Sequence, residues 1–509
     1  MTKIEYLSLS GPQRLVKSVQ VGFASIPKRF ARFFARVPRA FYRFGSAVAT
    51  PFAKIWECLR YGNWDTRLST VVWGLGQMTR HQVIRGVFYL LYEVFFVIFM
   101  ALIGGHNLAA LGSLGQLGEM TMIVGTVRVS YYYDDSFTIL IYSVVSIVFI
   151  GIALFLWYTQ LKDSMTLQRM GYIGRRASDR QTLGNVFDKS YDKTLLSIPV
   201  AGLAIFTIIP TTVMILIGFT NYNSSHYTPK ALIDWVGLAN FARIFGGSST
   251  SNASLFVYAF GMVLLWTLVW AFFATFSNYF LGMGVAMMIN AKGIRFKKVW
   301  RTILITTIAV PQFISLLLMN RMLNQDMGIF NQWLTQLHWI SSGIPWLNSP
   351  ILTKVVIIVV NTWIGIPYTM LICTGLLMNI PKDLYESARI DGAGAWKAYT
   401  KITLPYMLFV TTPYLISQFV GNINNFNVIY LLSQGNPLFT FTGNVPYQVN
   451  GVGQTDLLIT WIYKLSLTNV DKDFGYASVL GLLIFMVVAF FSLIVFNRSS
   501  SFKNEEEFQ

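Results

Sequence analysis

The fold class predicted by this sequence is an all-α polytopic membrane protein, and three observations predict it. First, 54% of the 509 residues are hydrophobic and only 12% charged, with a mean hydropathy of +0.52. That is more apolar side chain than a water-soluble core buries. Second, the excess is gathered into eight blocks of roughly 20 residues or more, the length at which a helix crosses the hydrocarbon layer. Third, with the N-terminus inside, the inner connections carry 32 of the 39 Lys and Arg and the outer loops 6, an asymmetry that places both termini in the cytoplasm. The net charge of +17 is thus mostly membrane topology, and nucleic-acid binding is not needed to explain it.

Residues 1–86 precede the first block and form a cytoplasmic, basic N-terminal region. They lack the uninterrupted apolar core of a secretory signal. In "KRFARFFARVPRAFYRF", Arg29, Arg32, Arg36, Arg39 and Arg43 fall within an arc of about 80° at helical spacing, opposite Phe30, Phe33, Phe34, Val37, Phe41 and Phe44. This pattern predicts an amphipathic helix on the inner leaflet, kinked at Pro38, its arginines on anionic lipid headgroups. Residues 87–194 hold two spans, 87–105 and 137–159, and a basic connector. Residues 195–498 hold six more spans, at 196–219, 256–289, 300–320, 352–378, 403–432 and 476–497, before a cytoplasmic tail at 499–509. The spans at 256–289 and 403–432 exceed what a bilayer requires, so they should tilt, bend or extend into water.

Chemistry is mostly excluded by what the spans lack. Glu93 is the only acid placed inside one, whereas proton-coupled carriers need ionisable groups at membrane depth. His81, His106, His226 and His338 fall in loops or the N-terminal region and form no acid–base or metal cluster, which also leaves a membrane-embedded glycan enzyme without its groups. Cys58 and Cys373 are too few and too separated for a disulfide or a metal site. A phosphate-cradling Gly-rich loop ending in Gly-Lys-Ser/Thr is missing. The sequence therefore offers no catalytic residue and no metal ligand, and any energy for transport must come from another chain.

One polar segment interrupts this apolar region. In "PKDLYESARIDG", Pro381 suits a first helical turn, Asp383 and Glu386 its positive end and Gly392 its stop, so a short helix and a turn are expected, then a second short helix leading into Pro405. Ala388, Gly392 and Ala393 give a small-residue face open to close approach, with Tyr385, Arg389 and Trp396 reaching outward. In spacing, Glu386, Ala388, Asp391, Gly392, Ala393, Trp396, Ile402, Leu404 and Pro405 reproduce the EAA loop of ABC-importer permeases, with Ser387 in place of the central alanine. The resemblance extends over about 195–500 through "DWVGLANFARIF", "VPQFIS", "NTWIGIPY", "NINNFNVIYLL" and "DFGYASVLGLLIF", which resemble the MalF-type permease of maltose/maltodextrin importers.

That resemblance implies a six-helix ABC type I importer permease core preceded by two extra spans, with residues 381–405 as the coupling helix. The coupling residues would be Glu386, Ala388, Asp391, Gly392, Ala393 and Trp396. It further implies a second homologous permease, a dimer of cytoplasmic ATPase subunits that bind ATP and Mg, and an extracellular sugar-binding protein. Only about 35 residues separate spans three and four, which suggests a Gram-positive type of importer with a membrane-tethered binding protein. The location implied is a bacterial plasma membrane.

The residues also indicate the cargo by themselves. Tyr414, Gln418, Gly421, Asn422 and Asn425 fall within an arc of about 100° on a helical wheel, with Asn424 and Asn427 on the other side. Asn361, Gly365 and Tyr368 share a face of 352–378, as do Gln312, Ser315, Met319 and Met322 of 300–320. Uncharged polar stripes mixed with aromatics suit a neutral polyhydroxylated ligand, because amides pair with hydroxyls and aromatic faces stack on sugar rings. Buried amides that merely bond neighbouring helices are the alternative. The resemblance assigns sugar contacts to Gly365, Tyr368, Asn422 and Asn425; Gln418 and Ser315 join them from the stripes. Maltodextrin is the expected cargo, with a galacto-oligosaccharide or raffinose-type sugar as the alternative.

Overall fold

The computed structural model describes residues 54–498 apart from 117–119, 125–126, 132–133, 176–177, 180–183, 185–190, 228–230, 246–252, 292 and 440–450. The amphipathic arginine-rich stretch and the tail at 499–509 lie outside the described residues. The apolar blocks become helices, and those that frame the sites, long and short, are α1 Val83–Ala110, α2 Ser136–Tyr172, α3 Thr194–Ile217, α4 Ala253–Asn290, α5 Lys297–Thr306, α6 Gln312–Met322, α7 Pro350–Leu377, α8 Lys382–Ile390, α9 Ala395–Ala398, α10 Leu404–Ile423, α11 Phe426–Leu432, α12 Leu458–Tyr463 and α13 Phe474–Arg498. One antiparallel hairpin, Met120–Val124 with Val127–Tyr131, lies in the connection between α1 and α2 of this otherwise helical chain.

Among the described residues, six helices are long and apolar enough to cross a membrane, or seven if α5 and α6 form one span bent by 86°. Eight were expected. The bend has a local cause: Val310 precedes Pro311 and is extended, with ψ 121°, as the residue before a proline prefers. The expected span 403–432 is not among the seven. Its α10 carries Thr411, Thr412, Pro413, Gln418 and Asn422, which dilute its apolarity, and it ends at Ile423 before a separate α11 begins.

The chain divides into two compact units, Met1–Leu111 with Leu140–Ile209, and Gly112–Ile139 with Pro210–Gln509. In the first, the segment before α1 folds against α2. Cys58 packs on Leu161 and Met165, and Asp65 pairs with Arg80 at 2.7 Å. In the second, α4 and α7 run along each other. Ala274, Asn278, Gly282 and Ala286 on α4 and Asn361, Gly365, Thr369 and Cys373 on α7 recur at four-residue spacing, which lines each set along one helical ridge. Two glycines set the approach. A Cβ on Gly282 would stand 2.7 Å from that of Thr369, and one on Gly365 would stand 2.5 Å from the Asn278 amide oxygen. Small residues of this kind are how membrane helices reach van der Waals packing without a hydrophobic drive between them.

The core of this unit is aromatic. Trp270 and Trp461 are fully buried, and the polar ends of both Trp266 and Trp270 find carbonyls, at Thr455 (3.1 Å) and Asn422 (3.0 Å). The second of these matters at the end of α10, where the last carbonyls have no helical partner. A buried ion pair, Lys464 Nζ to Asp456 Oδ2 at 2.6 Å, locks the connection between α11 and α13, helped by the Thr460 hydroxyl (2.8 Å) and the Gly453 N–H (2.7 Å). Asp456 lies outside the spans. Burial pushes its carboxyl up from the ordinary range, against the pull of Lys464 and those hydrogen bonds.

Candidate functional site

A cavity of about 70 Å³ lies where α4, α7 and α10 meet, lined by Thr275, Asn278 and Tyr279, by Gly365, Tyr368 and Thr369, and by Tyr414 and Gln418 among others. It has room for a few waters. No carboxylate, amine or imidazole lines it, so what it offers a ligand is hydroxyls, amides and aromatic rings. Each wall has a structural reason to be there. Tyr279 is anchored by the Thr411 hydroxyl, which donates to its oxygen at 2.8 Å, so α10 is tied to α4 beside the cavity. The Asn278 amide NH₂ donates back to the Ala274 carbonyl at 2.8 Å. Its Oδ1 is buried without a hydrogen-bond partner among the described residues. A buried acceptor left unmade is costly, and this one stands against Gly365. Tyr368 is half-exposed at the open side.

Three of the expected substrate residues, Gly365, Tyr368 and Gln418, are therefore brought together. The other three are not. For Asn425 the wheel does not hold, because α10 ends at Ile423, and Asn422, still on α10, turns away from the cavity. Asn422 is buried and donates to the Thr275 hydroxyl at 3.0 Å, one step behind the cavity wall. Asn425 is the N-cap of α11: its side-chain oxygen accepts the Val428 N–H at 3.3 Å, and its NH₂ donates to Asn422 Oδ1 at 3.3 Å. Asn424 and Asn427, expected to turn toward other helices, are exposed. Ser315 is half-buried on α6, beyond the 86° bend, and does not line the cavity.

The second candidate site is the polar segment. Lys382–Ile390 is helical behind Pro381, and its end is a complete Schellman arrangement. The Ala393 N–H donates to the Ala388 carbonyl at 2.8 Å and the Gly392 N–H to the Arg389 carbonyl at 3.0 Å, with Gly392 at φ +72°. A Cβ on Gly392 would meet nothing within 4 Å, so within this chain glycine is required by the backbone angle and not by close packing. Glu386, Asp391 and Gly392 are exposed, Ala388 and Ala393 half-buried. Ile390 and Trp396 are 86% and 76% exposed. The Tyr385 hydroxyl, 2.8 Å from that of Thr403, ties α8 to the turn entering α10.

The model of the binding-protein-dependent transport system inner membrane component family matches residues 278–501, which contain both sites except for the first cavity residues of α4. The maltodextrin transport system permease protein MalC of Streptococcus pneumoniae is 32% identical over 449 residues, covering 86% of this chain and 96% of the relative. The chain belongs to this family. It is a multi-pass membrane protein and the membrane subunit of an ABC transporter, not itself catalytic. The galactooligosaccharides permease protein GanP of Bacillus subtilis is 32% identical over 440 residues, 86% of this chain and 98% of the relative. The maltose/maltodextrin permease protein MalF of Escherichia coli is 35% identical over 261 residues, but only 51% of this chain and 48% of the relative.

Sequence reasoning missed Asn278 and Thr275 of α4. The block 256–289 reads as almost uniformly apolar, so its few polar residues carried no periodic signal of their own. The available clue was Asn278 standing four residues from both Ala274 and Gly282, a lone amide in a small-residue ridge.

Proposed function

We propose that this chain is the transmembrane permease subunit of an ATP-driven importer of maltodextrin-type oligosaccharides, coupled to its ATPase through Glu386–Trp396. The observation that carries the reading is the uncharged polar lining, Tyr368, Tyr414, Gln418 and Asn278 around Gly365, that meets at this small cavity. Amide and phenol groups without a fixed charge fit a polyhydroxylated, uncharged cargo. Individual neutral hydrogen bonds are worth only about 0.5–1.5 kcal/mol net, so a handful holds a sugar briefly and lets it go, as a transport site must. The relatives named for maltodextrin and for maltose/maltodextrin support this cargo. The equally long match to a galactooligosaccharides permease supports a second reading, in which the machine is the same and the sugar is a galacto-oligosaccharide.

In the proposed cycle both termini are cytoplasmic, and α8 with α9 docks on a cytoplasmic ATPase dimer that binds ATP and Mg. Closure of the dimer pulls on this element. The pull passes through the continuous run from Ala395 to Ile423 into α10 and so reaches one wall of the cavity. A passage between this chain and a second, homologous permease, bordered by this polar wall, then opens toward a loaded, membrane-tethered sugar-binding protein, and hydrolysis resets it inward. Copurification of the complex, with mass spectrometry of its subunits and of the glycan it retains, tests the reading. A maltodextrin or galacto-oligosaccharide together with an ATPase and a second permease is expected. A chain that copurifies alone, or with a charged cargo, would overturn it.

A further inference from the structure

The first unit holds a polar cavity of about 360 Å³ that the transport reading does not use. It forms where the segment before α1 meets the far end of α2, and its walls include Asn63, Thr79, Arg80, His81, Tyr172 and Arg175. No carboxylate lines it. Much of the wall is already committed: the Tyr172 hydroxyl donates to Asn63 Oδ1 at 2.9 Å, and Arg80 is held by Asp65 and by the carbonyls of Gly76 and Ser164. Asp65 sits beneath, almost buried, so its charge is spent on Arg80. Arg175 and His81 are different. Among the described residues neither side chain has a hydrogen-bond or ionic partner, though both face the same cavity. The cavity is therefore a rigid frame of hydroxyls and amides with two uncommitted nitrogen donors at its rim, and that donor set suits an anion.

Its depth narrows the anion. Thr79, Arg80 and His81 stand within one turn of Val83, where the apolar run of α1 begins. Arg85 of α1 pairs with Asp163 of α2, and Leu167 and Gly171 follow at about 6 and 12 Å along the α2 axis. With α1 and α2 crossing the membrane as the transport reading has them, this end of the pair lies at the depth of the headgroups. The neighbouring segment exposes Trp56, Tyr61 and Trp64, each more than 60% accessible, the residue types that settle at a membrane–water boundary. We propose that this cavity binds a phosphate ester, with the headgroup of an anionic inner-leaflet phospholipid as the source that its depth favours. The site shares no residue with the sugar pathway or the coupling segment.

The test uses the purified full-length chain in its complex, titrated with phosphatidylglycerol, phosphatidylcholine and glycerol phosphate under native mass spectrometry. Phosphatidylglycerol should be retained over phosphatidylcholine, and Arg175→Gln should lower that retention about fivefold, the weight of one basic residue at an anionic surface. His81→Gln, which keeps a nitrogen donor, should lower it less. Arg169→Gln removes a charge on the same helix that is paired with Glu57 and lies outside the cavity, and should leave retention unchanged. Arg175-dependent binding of glycerol phosphate without preference between the two lipids would support the phosphate site and assign its ligand to water. Equal retention of both lipids with no Arg175-dependent phosphate binding, or equal losses in Arg175→Gln and Arg169→Gln, would overturn the proposal.

Discussion

Gly392 offers a perturbation whose size can be worked from the backbone. Its φ is +72° and a Cβ there would touch nothing, so Gly392→Ala adds no clash and removes no contact; it only asks an L-residue to occupy the left-handed region. That costs about 1–2 kcal/mol. The cost falls on the two hydrogen bonds that close α8, Ala393 to Ala388 and Gly392 to Arg389. If the closed turn is what docks on the ATPase, its population should fall by a factor of roughly 5–30. Gly394 is the control. It is also unobstructed, but its φ of −70° and ψ of 168° make it an ordinary N-cap, where serine is at least as good. In a reconstituted complex, ATP hydrolysis stimulated by the loaded binding protein should drop several-fold in Gly392→Ala, recover in part in Gly392→Asn, and be unchanged in Gly394→Ser. Membrane insertion should survive throughout. Equal activity in Gly392→Ala and Gly394→Ser would refute the coupling assignment.

Other expectations follow from the same geometry. Gly365→Ala puts a methyl group 2.5 Å from the Asn278 amide and should cost about 1–3 kcal/mol in thermal stability and most of the uptake; adding Asn278→Ala should restore the stability but not the uptake, as measured by melting and transport of one preparation. Lys464→Met leaves Asp456 buried without its cation and should destabilise by about 3–5 kcal/mol, whereas combining Lys464→Met with Asp456→Asn should recover much of it in a thermal melt. Asn425→Leu removes the cap of α11 and should cost about 1 kcal/mol, while Asn424→Leu, at an exposed position, should leave the melting temperature in place.

The last pair reverses what the helical wheel suggests, and the reason shows what sequence could and could not convey. A wheel assumes an unbroken helix. From Tyr414 to Gln418 that assumption holds, and both residues reach the cavity together with Gly365 and Tyr368 from α7. Past Ile423 it fails, because Asn425 spends its side chain on capping α11, and nothing in the order N-I-N-N-F-N marks which amide will do so. The bend between α5 and α6 was legible in principle at Val310–Pro311, since a proline withholds a donor and pushes its predecessor to extended backbone. Length and apolarity alone concealed it. The turn at Gly392 was fully legible: a glycine after a polar nine-residue helix is the usual stop, and the Schellman bonds form there. Asn278 was hidden for the opposite reason. Its meaning depends on Gly365, nearly ninety positions away, and only packing brings the two together.

In the proposed cycle sugar passes this chain at the expense of ATP hydrolysed on a partner subunit. Uptake of labelled maltodextrin into proteoliposomes that hold this chain, its second permease and the ATPase tests it most directly, with galacto-oligosaccharide as competitor. Uptake that requires both internal ATP and the external binding protein, and that falls in Gly365→Ala, is the predicted result. Uptake driven by a proton gradient without ATP, or ATP-dependent uptake indifferent to Gly365, Tyr368 and Gln418, would contradict it.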